Sequence, residues 1–276
     1  MNILITGASG FIGRNLIQSL INSEYDLTAC INKNALNFDI KIIKIDYAQM
    51  LKITDWLPYL IGIDVVINCV GIIAENRKYS FKLMHHKAPI ALFKACEKTH
   101  VKRVINISSL GADNSAHVAY HKSKLQADNY LRSSDLEWFI LRPSLVYGKG
   151  GKSFDFFQKI SNFPLVPLIE NGQQLIQPVS IEVLIHTIHT CIQSQKINQT
   201  IDVVGRKAIC FKDWMIKLRK SQFTPYFVKI PIKLIKKLVK LFSPFNLKLM
   251  TEDNITMLEQ NNVSNYLPLK QFLKNK

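Results

Sequence analysis

The stretch that decides the fold is Asn2-Ile3-Leu4-Ile5-Thr6-Gly7-Ala8-Ser9-Gly10-Phe11-Ile12-Gly13. Its first five residues are mostly apolar or β-branched, which predicts a buried strand. The glycines that follow permit a tight turn, a close approach of the backbone to a ligand, and close packing of the next helix. N–H groups at the start of a helix attract anions. The stretch therefore predicts a strand–turn–helix unit that holds the diphosphate of a dinucleotide.

Strands and helices alternate over the first half of the chain. Short apolar runs predict strands at Asn2–Thr6, Leu27–Ile31, Lys41–Ile45, Val65–Asn68, Val104–Ser108 and Trp138–Leu141. Amphipathic segments between them predict helices near Phe11–Ile21, Tyr47–Leu60, Phe81–His100 and Ala119–Arg132. Nearly continuous apolar strands joined through helices are typical of a parallel sheet that is covered on both faces. We therefore expect an α/β fold with a doubly wound parallel sheet, the Rossmann arrangement.

The alternation of predicted strands and helices becomes irregular after Pro143. Glycines at 148, 150 and 151 and prolines at 164 and 167 interrupt the pattern, and shorter elements follow. Open α/β folds bind ligands at the carboxyl edge of the sheet, and we expect the later part of the chain to cover that edge. The predicted division is a dinucleotide-binding core at residues 1–148 and a smaller C-terminal, substrate-side region at residues 149–276. One integrated domain is the alternative.

Composition and cysteine usage are typical of a globular protein in a reducing compartment. Hydrophobic residues make up 47% of the chain and charged residues 20%. The five cysteines are scattered without CxxC spacing, so we expect reduced thiols and no metal site. We find no cleavable leader and no uncharged apolar stretch of the ~20 residues that a membrane span requires. We expect a cytoplasmic protein, with a peripheral position at the inner face of a membrane as an alternative.

Positive charge is concentrated in the C-terminal part. Of the net charge of +16, residues 206–276 contribute +11, from 15 Lys/Arg and 4 Asp/Glu. Residues 231–242 predict an amphipathic helix with one apolar side and one basic side. The basic side carries Lys233, Lys236, Lys237 and Lys240. Either the apolar side packs internally and the lysines face water, or the helix binds a membrane surface or an acidic protein partner. Because no nucleic-acid motif accompanies these lysines, we expect no nucleic-acid binding.

Four further motifs follow the glycine-rich turn. They are Asp46-Tyr47, Val66-Ile67-Asn68-Cys69-Val70-Gly71, Tyr120-His121-Lys122-Ser123-Lys124 and Leu141-Arg142-Pro143-Ser144-Leu145-Val146-Tyr147-Gly148. Together with the GxxGxxG spacing, they resemble the extended and atypical short-chain dehydrogenase/reductase superfamily over most of the chain. The resemblance implies that the dinucleotide is bound by Gly7, Ser9, Gly10, Phe11, Ile12, Gly13, Arg14, Asn32, Lys33, Asp46, Tyr47, Cys69, Val70, Gly71, Ser108, Tyr120, Lys124 and Pro143.

A closer resemblance is to the branch that contains the nucleotide-binding accessory subunit of respiratory complex I and its bacterial relatives. Three stretches carry it: Val104-Ile105-Asn106-Ile107-Ser108-Ser109-Leu110-Gly111-Ala112, Gln177-Pro178-Val179, and Leu249-Met250-Thr251-Glu252-Asp253-Asn254 leading into Asn261-Asn262-Val263. This resemblance implies a subunit of a membrane-associated assembly, in which the dinucleotide stabilises the fold.

The end of the second predicted strand discriminates between NAD and NADP in this fold. An acidic residue there binds the free 2′-hydroxyl of NAD, whereas a basic residue suits the 2′-phosphate of NADP. The strand ends in Cys30-Ile31-Asn32-Lys33-Asn34, without a carboxylate. Lys33 and Arg14 are candidates for a cationic phosphate site, and solvated surface charges are the alternative. The sequence favours NADP(H), with NAD(H) as the second candidate.

The resemblance also implies a catalytic set. Tyr120 would exchange a proton with a substrate oxygen, and Lys124, one helical turn further on, would lower the pKa of the phenol and bind the nicotinamide ribose. Ser109 is the candidate hydroxyl that orients the substrate, because Leu110 occupies the position where many sugar-nucleotide epimerases have Ser or Thr. The pair His85–His86 lies where the family often has Asn, and we expect it to be partly exposed helix surface.

These observations leave two main hypotheses about function. The first is an NADP-dependent oxidoreductase or nucleotide-sugar epimerase/dehydratase-like enzyme that uses Tyr120 and Lys124. The second is a non-catalytic NADP-binding accessory subunit of a membrane-associated complex such as respiratory complex I, which the leucine at position 110 and the basic amphipathic helix favour. Nucleic-acid binding through the basic tail is the least supported hypothesis. The substrate stays open, because the residues that would shape its pocket lie in the part of the chain with the fewest motifs.

Overall fold

The computed structural model describes residues 1–32, 36–242 and 251–274. Its strands are β1 (Asn2–Thr6), β2 (Asp26–Ile31), β3 (Lys41–Lys44), β4 (Val65–Asn68), β5 (Arg103–Ile107), β6 (Glu137–Pro143), β7 (Val146–Tyr147), β8 (Leu165–Ile169), β9 (Leu175–Ile176), β10 (Val179–Ser180), β11 (Gln199–Val203), β12 (Ile209–Cys210) and β13 (Tyr226–Ile230). Its helices are α1 (Phe11–Leu20), α2 (Ile53–Leu60), α3 (Ala88–Lys98), α4 (Ala119–Arg132), α5 (Lys152–Ser161), α6 (Ile181–Gln193), α7 (Phe211–Leu218), α8 (Ile232–Phe242), α9 (Glu252–Glu259) and α10 (Leu267–Lys274).

Seven parallel strands form the central sheet in the order β11-β6-β5-β4-β1-β2-β3. The strand order reverses between β1 and β4, so a crevice opens at the carboxyl ends of these two strands. The predicted doubly wound parallel sheet is therefore confirmed. All residues of β4 and β5 are buried, as a central strand covered on both faces requires.

Helices cover the two faces of this sheet and form two separate cores. On one face, α1, α6 and α10 contribute apolar side chains such as Leu16, Ile188 and Leu269, none of which is exposed. On the other face, α2, α3 and α4 contribute side chains such as Trp56 and Phe93, which are also fully buried. The sheet is thus enclosed between two helical layers, and only its strand ends are left for ligands.

Two predicted helices are divided in the structure. The segment predicted as one helix over Tyr47–Leu60 contains a 3₁₀ turn at Tyr47–Gln49, followed by α2. A carboxylate oxygen of Asp55 accepts hydrogen bonds from the N–H groups of Leu51 and Lys52, so a new helix begins there. The segment predicted as one helix over Phe81–His100 starts with a π-helical turn at Lys82–Lys87 and continues as α3.

The C-terminal part has a small core of its own, yet it also completes the main sheet. Phe157, Leu168, Phe211 and Trp214 pack together between α5, α7 and β8. However, β11 pairs in parallel with β6 and extends the central sheet by one strand. The boundary at residue 148 stays a prediction, and the contribution of β11 agrees with the single-domain alternative.

No helix in the described part of the chain has the length and hydropathy that crossing a membrane requires. Cys30, Cys96 and Cys191 are buried free thiols, and burial raises the pKa of Cys30 to about 12. These three side chains act as small apolar residues of the core.

A buried arginine joins the central sheet to α6. Nε and Nη2 of Arg103 at the start of β5 donate to Oε2 of Glu137, at 3.0 and 2.5 Å. Its Nη1 donates to the carbonyl oxygens of Cys191 and Ile192 in the last turn of α6. Arg103 is only 6% exposed, so each of its hydrogen bonds replaces one that water can no longer make.

We predict that Arg103→Ala lowers the free energy of unfolding by about 2–3 kcal/mol, because it removes the partner of Glu137 and of two helix carbonyls. Urea denaturation measures the change. Lys102→Ala is the matched control, since the exposed Lys102 approaches the same carboxylate at 4.0 Å. The control should change stability by no more than about 0.5 kcal/mol. Equal effects of the two substitutions would contradict a structural role of the buried guanidinium.

Candidate functional site

The glycine-rich turn lies in the crevice between β1 and β4. Gly7 has a φ of +66°, and a Cβ atom there would lie 2.8 Å from the carbonyl carbon of Cys69. A Cβ atom on Gly13 would lie 2.5 Å from the carbonyl oxygen of Gly7. Both glycines are therefore required by close backbone contacts, as the spacing predicts.

Helix α1 begins in a form that suits a diphosphate. Gly10 is its N-cap residue, and no side chain among the described residues caps it, so the N–H groups of Phe11, Ile12 and Gly13 point out of the first turn. Ser9 and the exposed Arg14 flank this turn. The backbone cradle and its unpaired donors fit the diphosphate of a dinucleotide.

The segment after β7 packs against the ring of Phe11. A Cβ atom on Gly148 would lie 3.4 Å from this ring, and a Cβ atom on Gly151 would lie 3.1 Å from it. A Cβ atom on Gly150 would lie 3.7 Å from Nη2 of Arg14. The VYG segment of the sequence is therefore packed beside the start of α1, so residues far apart in sequence border the same cradle.

The end of β2 is covered by the loop that follows β4. The side-chain amide of Asn32 donates to the hydroxyl of Tyr79 at 2.9 Å, and Lys78 forms a 2.6 Å ion pair with Asp46. Lys78 and Tyr79 are site residues that sequence reasoning missed, because their partners lie more than 30 positions away in the chain. Lys33 lies outside the described residues.

Buried polar side chains form a row from β1 to α4. Oδ1 of Asn68 accepts from the hydroxyls of Thr6 and Tyr47, at 2.7 and 3.1 Å. The amide nitrogen of Asn68 donates to Asn106, whose own amide donates to Asp128 on α4, both at 2.8 Å. The row therefore fixes the carboxyl ends of β1, β4 and β5 relative to α4.

Two residues predicted to bind the dinucleotide belong to this buried row. Tyr47 is 5% exposed and its hydroxyl is bonded to Asn68, so its side chain supports the sheet. Ser108 donates its hydroxyl hydrogen to Asp128. Asp128 is fully buried, and burial raises its pKa, whereas the hydrogen bond from Ser108 and the charge of Lys124 lower it. Cys69, Val70 and Gly71, in contrast, directly follow β4 at the carboxyl edge of the sheet, and Asp46 follows β3 at the same edge.

Lys124 lies buried at the carboxyl ends of β4 and β5. Its Nζ donates to the carbonyl oxygens of Ile107 and Val70, at 2.8 and 3.5 Å. A Cβ atom on Gly71 would lie 3.4 Å from the same Nζ, so the loop after β4 passes beside the ammonium group. Burial lowers the pKa of Lys124 to about 8, although Asp128 and Cys69 act in the opposite direction.

Tyr120 lies on the same face of α4, one turn before Lys124. Burial raises the pKa of Tyr120, and the nearby side chain of Ser109 partly offsets this. Leu110 is buried, and its N–H donates to the carbonyl oxygen of Pro143 at 2.9 Å, so Pro143 supports the backbone beside Ser109. The structure thus brings together the predicted tyrosine, lysine and serine.

His85 is buried in the π-helical turn, and the expectation of a partly exposed surface position was wrong for this residue. Its Nε2 accepts from the N–H of Ile72 at 2.9 Å, and its Nδ1 lies 3.1 Å from the hydroxyl of Ser123. Ser123 donates to the carbonyl oxygen of Tyr120, so it accepts from Nδ1–H. His85 is therefore neutral and joins the loop after β4 to α4. His86 is half-buried.

The ring of Tyr120 is enclosed on three sides by aromatic side chains. Phe81, His85 and His121 each contact it edge-on, with centroid distances of 5.6, 5.3 and 5.4 Å. The N–H of Tyr120 donates to Asp253 from α9 at 3.2 Å. The C-terminal region therefore covers the start of the helix that carries the tyrosine.

The two principal cavities of the described structure lie elsewhere. A cleft of about 930 Å³ runs between α1 and α6, and a cavity of about 180 Å³ lies beside Arg142 and Asp202. Tyr120, Ser109 and Lys124 line neither of them.

A family model described as NAD(P)H-binding matches residues 7–163. The chain belongs to the NAD(P)H-binding family. Its relatives confirm the resemblance to the extended short-chain dehydrogenase/reductase superfamily. UDP-glucose 4-epimerase of Vibrio cholerae is 26% identical over 235 residues, which is 74% of this chain and 70% of that protein.

Another relative is NADH dehydrogenase [ubiquinone] 1 alpha subcomplex subunit 9, mitochondrial, of Mus musculus. It is 31% identical over 117 residues, which is 42% of this chain and only 31% of that protein. Among solved structures, UDP-glucuronic acid 4-epimerase from Bacillus cereus in complex with UDP-glucuronic acid and NAD superposes with a TM-score of 0.67 at 23% identity, over 83% of this chain and 86% of that one. This likeness shows that the NAD(P)H-binding chain shares the fold.

We predict that the buried histidines make the stability of this NAD(P)H-binding protein fall at acidic pH. Burial holds the pKa of His85 well below 6.5 and lowers that of His121 to about 4. Below pH 6.5 the unfolded chain therefore binds more protons than the fold, and each histidine reduces the free energy of unfolding by up to about 1.4 kcal/mol per pH unit.

Urea denaturation of the parent and of His85→Asn at pH 7, 6 and 5 measures the contribution of His85. The parent should lose about 1 kcal/mol more than the variant between pH 6 and pH 5. The matched control is His100→Asn, because His100 is exposed and its φ of 58° suits asparagine. A pH dependence that His85→Asn leaves unchanged would contradict the buried neutral state of His85.

Proposed function

We propose that the chain is an NADP(H)-dependent oxidoreductase or nucleotide-sugar epimerase/dehydratase-like enzyme in which Tyr120 exchanges a proton with the substrate oxygen. The observation that carries the proposal is the position of Tyr120 on α4, one helical turn from the buried Lys124 and close enough to Ser109 for that side chain to act on the pKa of the phenol. These groups lie at the carboxyl edge of the sheet, where this fold places the reactive end of a dinucleotide.

Each residue has a distinct role in this proposal. The raised pKa keeps Tyr120 a neutral phenol, so it serves as the proton donor when a carbonyl is reduced. Ser109 orients the substrate oxygen through its hydroxyl, which donates to the carbonyl oxygen of Leu110 in the structure. Lys124, with a pKa of about 8, carries a positive charge at neutral pH and binds the nicotinamide ribose. The dinucleotide, when bound, supplies or accepts the hydride.

The preference for NADP over NAD rests on the charges at the adenosine end. Residues 32–38, which follow β2 in the sequence, contain no acidic side chain, and Lys33 and Arg14 are the cations that would bind a 2′-phosphate. Lys78 adds a third cation, and its partner Asp46 also accepts a hydrogen bond from Asn32 at 3.4 Å. Its pairing with Lys78 reduces the repulsion between Asp46 and a phosphate.

A second candidate function is an NADP-binding accessory subunit without turnover. The enclosure of the Tyr120 ring by Phe81, His85 and His121 favours it, because these side chains restrict the approach of a substrate. The similarity to the mouse NADH dehydrogenase subunit supports it as well. In this case the bound dinucleotide stabilises the fold by mass action.

We predict that Tyr120→Phe lowers kcat by on the order of 10²–10⁴, while the Kd for NADPH stays within about threefold, because only the proton donor is lost. Turnover is followed as NADPH oxidation or NADP reduction with a panel of carbonyl compounds, and by product analysis with nucleotide sugars. Tyr130→Phe is the matched control, since Tyr130 lies on the same helix and its hydroxyl contacts Glu97. Turnover that persists in Tyr120→Phe refutes the catalytic role, and NADPH binding without any turnover by the parent favours the accessory subunit.

We predict that Lys33→Asp weakens NADPH binding relative to NADH binding by about 1–3 kcal/mol, as expected for loss of a charge-assisted hydrogen bond. Isothermal titration calorimetry with both dinucleotides gives the ratio of Kd values. Lys41→Asp, which introduces the same charge at an exposed position of β3, is the control. If both variants leave the ratio unchanged, NADP selectivity does not depend on Lys33.

A further inference from the structure

The apolar side of α8 is already used inside the protein. Ile235 and Val239 are 8% and 9% exposed and pack against Ile169 and Ile255. The side chain of Lys240 lies outside the described residues, and Lys233 and Lys237 are exposed. This helix therefore presents lysines to solvent together with Leu234, which is 47% exposed, and other apolar side chains of the protein are more exposed still.

Such side chains are exposed on the two-stranded sheet formed by β8 and β13. The register places Leu165 beside Tyr226, and these residues are 61% and 78% exposed. Val228, two positions further along β13, is 44% exposed. The opposite face of the same sheet carries Val166, which is buried in the C-terminal core. One face of this sheet is thus packed and the other is apolar and open to solvent, which is unusual for a monomeric protein.

Two phenylalanines extend this open face. Phe163 precedes β8 and is 60% exposed, and Phe223 in the loop between α7 and β13 is 82% exposed. Arg219 donates to the carbonyl oxygens of both residues, at 2.9 and 2.7 Å. The guanidinium therefore holds the two segments side by side. We call Phe163, Leu165, Phe223, Tyr226 and Val228 the docking face.

The segment that carries most of the docking face is rich in positive charge, although Glu170 and Glu259 lie beside it, bonded to the N–H of Ile232 and to Lys236. Residues 216–237 contain seven Lys/Arg and no Asp/Glu. Lys217, Lys220, Lys229, Lys233 and Lys237 in this segment are exposed. A second copy of the chain would bring two such positive rims together, so the charge disfavours self-association through this face. A polyanion such as RNA would use the lysines but leave the apolar side chains in water.

We propose that the docking face binds the surface of a bilayer that contains anionic lipid. Phe163, Phe223 and Tyr226 enter the interfacial region, while the surrounding lysines contact anionic headgroups. A lipid surface is the partner that uses both the exposed apolar side chains and the positive rim. This inference does not depend on catalysis or on the identity of the dinucleotide.

Vesicle co-sedimentation of the full chain tests the proposal. We expect binding to vesicles of phosphatidylcholine with about one third phosphatidylserine, weaker binding to phosphatidylcholine alone, and loss of binding as salt shortens the range of the electrostatic attraction. Phe223→Ser combined with Tyr226→Ser should weaken binding to the anionic vesicles by on the order of tenfold or more. Both side chains are so exposed that folding should be unaffected, and thermal unfolding checks this.

Matched controls distinguish binding through the docking face from nonspecific hydrophobic or electrostatic binding elsewhere on the surface. Ile61→Ser changes an 80% exposed apolar residue elsewhere and should leave binding unchanged. Lys220→Gln with Lys229→Gln should reduce binding to anionic vesicles severalfold, whereas Lys41→Gln with Lys98→Gln should not.

Four results would overturn the proposal. The first is no binding to anionic vesicles, and the second is binding that the Phe223/Tyr226 variant retains. The third is equal binding to neutral and anionic vesicles. The fourth is a dimer that light scattering detects without lipid and that Phe223→Ser converts to a monomer. In that case the docking face would bind a second copy of the chain.

Discussion

The close contact between the first turn and the end of β4 is the constraint on which the rest of the structure depends. The backbone of Gly7 approaches the carbonyl group of Cys69 so closely that no side chain fits between them. This contact occurs where the strand order reverses, so it fixes the diphosphate cradle at the start of α1 beside the loop that continues from Cys69. That loop in turn reaches His85 through Ile72 and Lys124 through Val70. The dinucleotide cradle and the Tyr120 site are therefore parts of one connected arrangement.

Polar groups buried beneath this crevice give it rigidity. Burial of a carboxylate such as that of Asp128 costs desolvation free energy. The hydrogen bonds that Asn106 and Ser108 donate to it offset this loss. The same hydrogen bonds fix the direction in which α4 leaves the sheet edge, and hence the positions of Tyr120 and Lys124. His85 acts in the same way from the other side, because its two ring nitrogens connect separate elements of the chain. Side chains buried beneath the crevice therefore determine where Tyr120 and Lys124 lie.

Local patterns were enough to predict β1 to β6, the glycine-rich turn and α4, because each is specified by neighbouring residues, whereas β11 of the central sheet was not predicted. Tyr120 and Lys124 share a helix face, and Ser109 follows a strand of the same sheet, so their proximity follows from the fold. The burial of His85 could not be predicted, since it depends on a π-helical turn and on a loop from β4. The ion pair between Lys78 and Asp46 likewise joins two loops whose paths local sequence does not specify. The amphipathic pattern of α8 predicted a helix, but which surface covers its apolar side depended on the packing of Ile169 and Ile255.

The hydrogen bond from Tyr120 to Asp253 has a consequence for how the protein is made. The two residues are 133 positions apart, and during translation the N-terminal part of a chain folds first. Helix α10 is made later still, and its Leu269 and Phe272 belong to the core that covers one face of the sheet. The sheet is therefore fully covered only after α10 has been made, by which time α9 has already supplied the acidic partner of Tyr120. The covered sheet and the tyrosine site are thus completed at nearly the same stage of synthesis.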